Sequence, residues 1–172
     1  TFRAKPESAE ILHEMGADIV SLANNHGYDY GEEAFLDTLD TLQNTDIPFV
    51  GAGRNLEEAS APVYFIAGDI KIAVVSATQI ERLDHPDTKG ATETTAGVFR
   101  CWNPDNLLEK VKEAKENSDF VIVYIHWGTE NTDVPDWAQL DQAPKIADAG
   151  ADLIIGDHSH CLQPIQYVNG VP

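Results

Sequence analysis

The chain has 172 residues, 42% of them hydrophobic, which suits one domain with a buried core and argues against a disordered polymer. Its 29 acidic residues against 11 basic give a net charge of −18, a field that repels nucleic acid and anionic membranes. An anionic substrate is admitted only where metal cations reverse the local sign, and no apolar run approaches the roughly 20 residues of a membrane span.

Taken in order, Pro6–Met15 opens on Pro and Glu and closes before Gly16, which predicts a helix with Ile11, Leu12 and Met15 as its apolar stripe. A strand over Ile19–Ala23 and a loop from Asn24 to Gly31 follow. Glu32–Gln43 repeats Phe35, Leu39 and Leu42 on one face and is the clearest helix. Pro48–Val50 reads as a short strand, and Asn55 is placed to cap a small helix over Leu56–Ser60. Val63–Ala67 and Ile70–Ala77, joined by Gly68-Asp69, read as a hairpin whose second arm is apolar enough to be central. Thr78–Gly97 has no period, and a loop of that length is expected over a functional site. A helix over Pro104–Glu116 leads to a strand over Phe120–His126. A helix over Asp136–Ala149 contains Pro144, which should kink or split it, and leads to a strand over Asp152–Ile155. Ile165–Val171, with its Asn169-Gly170 turn, begins another hairpin. A first residue that is Thr and a final segment that enters a turn give the expectation of an interior piece of a longer protein. Cys101 and Cys161 are not in a CxxC and decide nothing about redox compartment.

Three stretches stand apart: VSLANNHG at 20–27, FVIVYIHWG at 120–128 and DLIIGDHSH at 152–160. Each is a Val, Ile and Leu run ending in Asn or His near a Gly, the pattern of a buried strand in a parallel sheet. Function collects beyond the carboxyl ends of such strands, so Asn24, Asn25, His26, His126, His158 and His160 are expected at one edge of one sheet. If 158–160 is extended, both imidazoles face one side, as a metal site needs, and Cys161 points away into the core. Taken singly, each motif has a plainer explanation. HxH also suits two surface histidines, His126 a backbone-bonded core histidine, and Asn-Asn-His-Gly an ordinary turn. Glu130 is either an orienter of a ligand or a solvated loop acid. His13 and His85 are read as structural. Neither GxSxG nor GxxxxGK[ST] occurs, so a nucleophile elbow and a P-loop are excluded.

Asn24–His26 (NNH), Gly97–Asn103 (GVFRCWN), His126–Glu130 (HWGTE) and Ile154–Ile165 (IIGDHSHCLQPI) together resemble the bacterial capsule synthesis protein CapA family, whose best-known branch acts in poly-γ-glutamate capsule formation. Behind it stands the calcineurin-like metallophosphoesterase superfamily. The resemblance implies an α/β fold, a layered αββα sandwich of metallophosphoesterase type that is incomplete at both ends of this chain, with residues 1–172 forming a single domain. It implies Asn25, His126, His158 and His160 as metal ligands and His26 as the group that protonates the leaving group. One divalent ion would keep Asn25, His126 and His158, and a second only His160. Mixed His, Asn and carboxylate ligands suit Mn, Fe or Zn. The implied activity is metal-dependent hydrolysis of a phosphate ester or related bond in an anionic small molecule or polymer, at the cell surface or outside the cell. The alternative is a non-hydrolytic, metal-holding binding protein for an anionic capsule polymer such as poly-γ-glutamate.

Overall fold

The apolar second arm of the hairpin is an inner strand of the main sheet, as its composition requires. In the computed structural model, which describes residues 1–80 and 88–172, β5 (Ile70–Thr78) lies between β4 (Val63–Ala67) and β7 (Phe120–Trp127). β8 (Leu153–His158) completes a four-stranded sheet in the order β4-β5-β7-β8. β4 is antiparallel to β5, as a hairpin requires, and the other two pairings are parallel.

The two parallel connections are helices. α4 (Asp105–Glu116) links β5 to β7, and α5 (Trp137–Ala149) links β7 to β8. Val121, Val123 and Ile125 of β7 point toward them, with Ala73, Val75 and Ala77 of β5, and meet Leu107, Val111, Ala114 and Ile146 in the main core. By alternation the intervening residues Ile122, Tyr124 and His126 face the other way.

On that opposite side lie two short strand pairs. β1 (Val20–Ser21) runs parallel to β2 (Phe49–Val50), and β3 (Ala52–Gly53) is antiparallel to β6 (Gly97–Val98). α2 (Gly31–Asn44) covers them, burying Phe35 and Leu39 against Tyr28, Ala52 and Val98 in a second cluster. The layer order is therefore helices, sheet, strand pairs, helix: the αββα sandwich.

Several expectations are corrected. The stretch 20–27 does not reach the edge of the same sheet as the other two, because β1 pairs only with β2 and touches the large sheet through Ser21 Oγ and Ser76 Oγ, 2.7 Å apart. The first helix is two short pieces, a 3₁₀ turn over Pro6–Ala9 and α1 (Glu10–Glu14). α5 is one continuous helix through Pro144. The hydrogen bond that Pro144 cannot donate is offset by burial of Ala138, Gln142 and Ile146 on one face and by a capping box between Asp136 and Gln139. Asn55 does cap α3 (Leu56–Ser60), its side chain accepting from the Glu58 amide. The expected last hairpin is reduced to a bridge between Val168 and Val171 around Asn169-Gly170. Part of the long loop after Thr78, and His85 with it, lies outside the described residues. Its described end packs beside β6 and α3, where Gly90 bridges Val98 and the Leu56 amide donates to the Thr92 carbonyl.

Candidate metal centre

Register brings the carboxyl ends of three parallel strands level. Thr78 pairs with His126, and His126 with Asp157, so β7 and β8 deliver an imidazole and a carboxylate to the same face. His126 Nδ1 lies 2.9 Å from Asp157 Oδ1. The other ring nitrogen, Nε2, lies 2.9 Å from Oδ1 of Asn25, which comes from the opposite layer of the sandwich 101 positions away in sequence. The Asp157 carboxylate also acts on the Tyr124 hydroxyl. Burial, reinforced by that carboxylate, raises the Tyr124 phenol above its ordinary value.

His158 does not reach this place as an extended residue. Extended, it would stand beside its register partner Trp127, on the face that carries the main core. Instead the chain turns left-handed at His158 (φ 87°) and again at His160 (φ 55°). The His158 ring then lies 4.5 Å from that of His126 and 5.8 Å from that of His160, centroid to centroid. Left-handed backbone at two non-glycine residues two positions apart is costly, and such strain collects at functional sites. Gly156 is fixed by the same packing. A Cβ there would stand 2.3 Å from Trp127 Nε1, so only glycine lets the indole lie against β8.

Burial depresses the His158 ring to about 4, and the neighbouring His126 acts in the same direction against Glu130. Its side chain is only 6% exposed. At neutral pH it is an uncharged imidazole with a lone pair to give, the form a metal ligand must have.

Asn25 is 1% exposed, and its Nδ2 has no hydrogen-bond partner among the described residues. A buried carboxamide left half satisfied calls for a ligand. The Asn25–His126 separation of 2.9 Å also equals that of neighbouring donors on an ion with bonds of about 2.1 Å. The donor set therefore fits a divalent cation. A carboxylate joins it. Glu130 Oε1 is 3.8 Å from His158 Nε2, and donor atoms of Glu130, His158 and His160 all lie within 4.8 Å of one another.

His26 occupies a separate position. Its Nδ1 lies 3.1 Å from both carboxylate oxygens of Asp29, whose side chain is only 3% exposed. Burial would raise the Asp29 carboxyl, but the Phe2 amide and the His26 ring outweigh it and hold it below its ordinary value. An ionised Asp29 fixes the Nδ1 proton and leaves Nε2 as the exchanging nitrogen. The backbone turn is set by Asn24, whose Oδ1 accepts from the His26 amide at 2.8 Å. Among the described residues His26 makes no hydrogen bond or ring contact with the other three site histidines.

The model of the family described as "Bacterial capsule synthesis protein PGA_cap" matches residues 1–172. The chain belongs to the PGA_cap family. Among curated members it is 35% identical over 167 residues to the PGA biosynthesis protein CapA of Bacillus subtilis (strain 168), covering 95% of this chain and 42% of that protein. It is 34% identical over 173 residues to the capsule biosynthesis protein CapA of Bacillus anthracis, covering 98% and 41%. The PGA_cap chain thus spans about two fifths of the length of these relatives. Of solved structures, the NAD nucleotidase of Haemophilus influenzae superposes with a TM-score of 0.56 at 15% identity over 96% of this chain and 31% of that one. The fold is of the metallophosphoesterase type seen in such nucleotidases.

Asn25, His126, His158 and His160, expected together from the sequence, lie together in this PGA_cap structure, and His26 is held by Asp29 with no contact to the other three site histidines among the described residues. Asp29 was not singled out from the sequence, although a carboxylate three residues after His26 was a legible signal. Glu130 was ambiguous in the sequence alone. Asp157 was visible only as the residue before His158, and its bond to His126 needed the β7–β8 register. Cys161 is exposed, not in the core, because the left-handed turns abolish the alternation that would have buried it.

Proposed function

We propose that this chain carries the histidine-rich half of a divalent-metal centre that hydrolyses a phosphate ester or a related bond in an anionic substrate. The observation that carries this reading is the convergence of Asn25, His126 and His158 across two layers of the sandwich, with a buried carboxamide left half satisfied. Asn25, His126, His158 and His160 are the ligands, and Mn, Fe or Zn the ions that suit them. A bound ion would lower the pKa of a coordinated water and neutralise charge on the substrate, which a surface of net charge −18 otherwise repels.

The chain's own residues divide the remaining work. Asp157 holds the Nδ1 side of His126 and so directs Nε2 toward the ion. Asp29 holds Nδ1 of His26, whose side chain is 36% exposed, and so presents the other nitrogen to the leaving group as general acid. The names of the Bacillus relatives support a role in capsule or cell-envelope polymer metabolism, at the cell surface or outside the cell. Those names equally favour a second reading, in which the same centre bridges an anionic polymer such as poly-γ-glutamate without cleaving it. One experiment separates them: the full-length protein, its metal content measured by elemental analysis, is assayed on a generic aryl phosphate with and without added Mn²⁺ or Zn²⁺. Metal-dependent turnover supports hydrolysis. Bound metal without turnover of this or any phosphate ester tried supports the bridging role.

A further inference from the structure

We infer that Glu130 is a metal ligand, supplying the carboxylate to an ion that His158 and His160 also face. This rests on the metal-centre reading above and adds to it a donor from a different loop.

The first ground is position. Glu130, His158 and His160 each offer a donor atom within 4.8 Å of the other two, and Glu130 Oε1 is 3.8 Å from His158 Nε2. That spacing is too long for a hydrogen bond and is close to the separation of donors around one ion, roughly 3–4 Å for bonds of about 2.1 Å. The second ground is that the loop bearing Glu130 is tied to the segment bearing the histidines. The Asn131 amide donates to the Ser159 carbonyl at 2.7 Å, and Ser159 is the residue between the two histidines. The Gln163 amide donates to the Thr132 carbonyl at 2.9 Å and its Oε1 accepts from Gln139 at 2.7 Å. Thr129 in turn donates to Asp136, the cap of α5, at 3.1 Å. Residues 129–132 are thus fixed on both sides of Glu130, with Asn131 itself left-handed at φ 57°. A loop acid that served only solubility would need none of this.

The third ground is charge. His158 and His160 are neutral donors when they bind, and so is Asn25, so a divalent ion held by these alone keeps its full charge. A carboxylate beside the two imidazoles reduces that charge, and mixed His and carboxylate sets of this kind hold Zn and Mn. A neutral imidazole gives its one lone pair to one ion, so the ion next to His160 takes Glu130, His158 and His160 and leaves Asn25 and His126 to the other. This division departs from the one the family resemblance implies. His158 lies between this group and the Asn25–His126 pair, its ring 4.5 Å from that of His126 and 5.8 Å from that of His160.

The test is calorimetric titration of the full-length protein, first stripped with a chelator, with Mn²⁺ and separately Zn²⁺ near neutral pH. Wild type is compared with Glu130→Gln, His160→Ala and Asn25→Ala. Glu130 is 46% exposed, so the isosteric Gln is accommodated, and the thermal midpoint of the metal-free variant, equal to that of metal-free wild type, checks this. Expected is at least a tenfold weaker affinity, or loss of one equivalent, in Glu130→Gln. The same binding event is weakened in His160→Ala and retained in Asn25→Ala, whose side chain faces His126 and not Glu130. Glu130→Gln titrating like wild type while His160→Ala does not would overturn Glu130 as a ligand and leave the metal centre standing. A wild-type protein that takes up no ion would overturn both.

Discussion

Asp157→Asn replaces the group that orients His126 without altering its size, and the structure sets how much that should cost. The native carboxylate is 2.9 Å from His126 Nδ1 and, with burial, raises the Tyr124 phenol. Loss of a carboxylate that holds a ligating imidazole generally weakens metal binding by about 10–100-fold. Asp157 has a side chain 39% exposed, so water screens part of its charge, and the lower end applies: about tenfold, or about 1.4 kcal/mol. Asp157→Ala, which also removes the acceptor, should cost more. Calorimetric titration of the chelator-stripped protein with Zn²⁺ measures both, and ultraviolet titration of the metal-free protein gives a second reading. With the carboxylate gone, the Tyr124 phenol should move back toward its ordinary value, since only burial would remain to raise it. An affinity within about twofold of wild type in Asp157→Asn would refute the orienting role. A loss of several thousandfold would refute it in the other direction, making Asp157 a ligand.

Three further outcomes are expected. In the full-length protein His26→Ala should keep its metal while turnover falls by about 10²–10⁴, whereas His126→Ala and His158→Ala should lose metal; equal loss in all three would undo this division. In the metal-free protein the His158 ring, followed by NMR, should stay neutral until about pH 4; a midpoint near 6.5 would contradict the burial argument. Because the unfolded chain takes up that proton near 6.5 and the native ring only near 4, this group's contribution is fully present above 6.5. It is lost as pH falls through that window, by up to about 3 kcal/mol, which urea unfolding at a series of pH values would register. Gly156→Ala, whose Cβ would stand 2.3 Å from Trp127 Nε1, should destabilise by about 1–3 kcal/mol in urea unfolding; unchanged stability would mean that the indole moves aside freely.

What could be read from the sequence was whatever depends on local pattern. The apolar runs of β5, β7 and β8 and the periodic faces of α2 and α4 are one-dimensional signals, and they marked their elements to within a few residues. The membership of β1 in a separate strand pair was not legible, because Val20–Ser21 looks the same whichever strand it pairs with. The approach of His158 to His126 was expected for the wrong reason: an extended HxH was assumed, and two left-handed residues bring the rings together. Glu130 was ambiguous since nothing near it in sequence reveals that the Asn131 amide reaches Ser159. Asp29 is different, for its spacing from His26 was in plain view and its chemistry was not weighed.

The contact between Asn25 and His126 joins residues 101 positions apart, and an ion between them would make that contact a cross-link. In the unfolded chain, holding together the ends of a loop of about 100 residues removes conformational freedom worth about 4–5 kcal/mol by the chain-entropy account. The Glu130, His158 and His160 donors, by contrast, lie within one β-α-β segment and close a far shorter loop. The two groups of donors would therefore respond differently to a chelator. Emptying the short-range group, whose loop is about 30 residues, gives up about 3–4 kcal/mol on the same account but leaves the two layers of the sandwich joined. Emptying the long-range group releases the layer that carries β1 from the sheet that carries β7, so the protein becomes measurably easier to unfold.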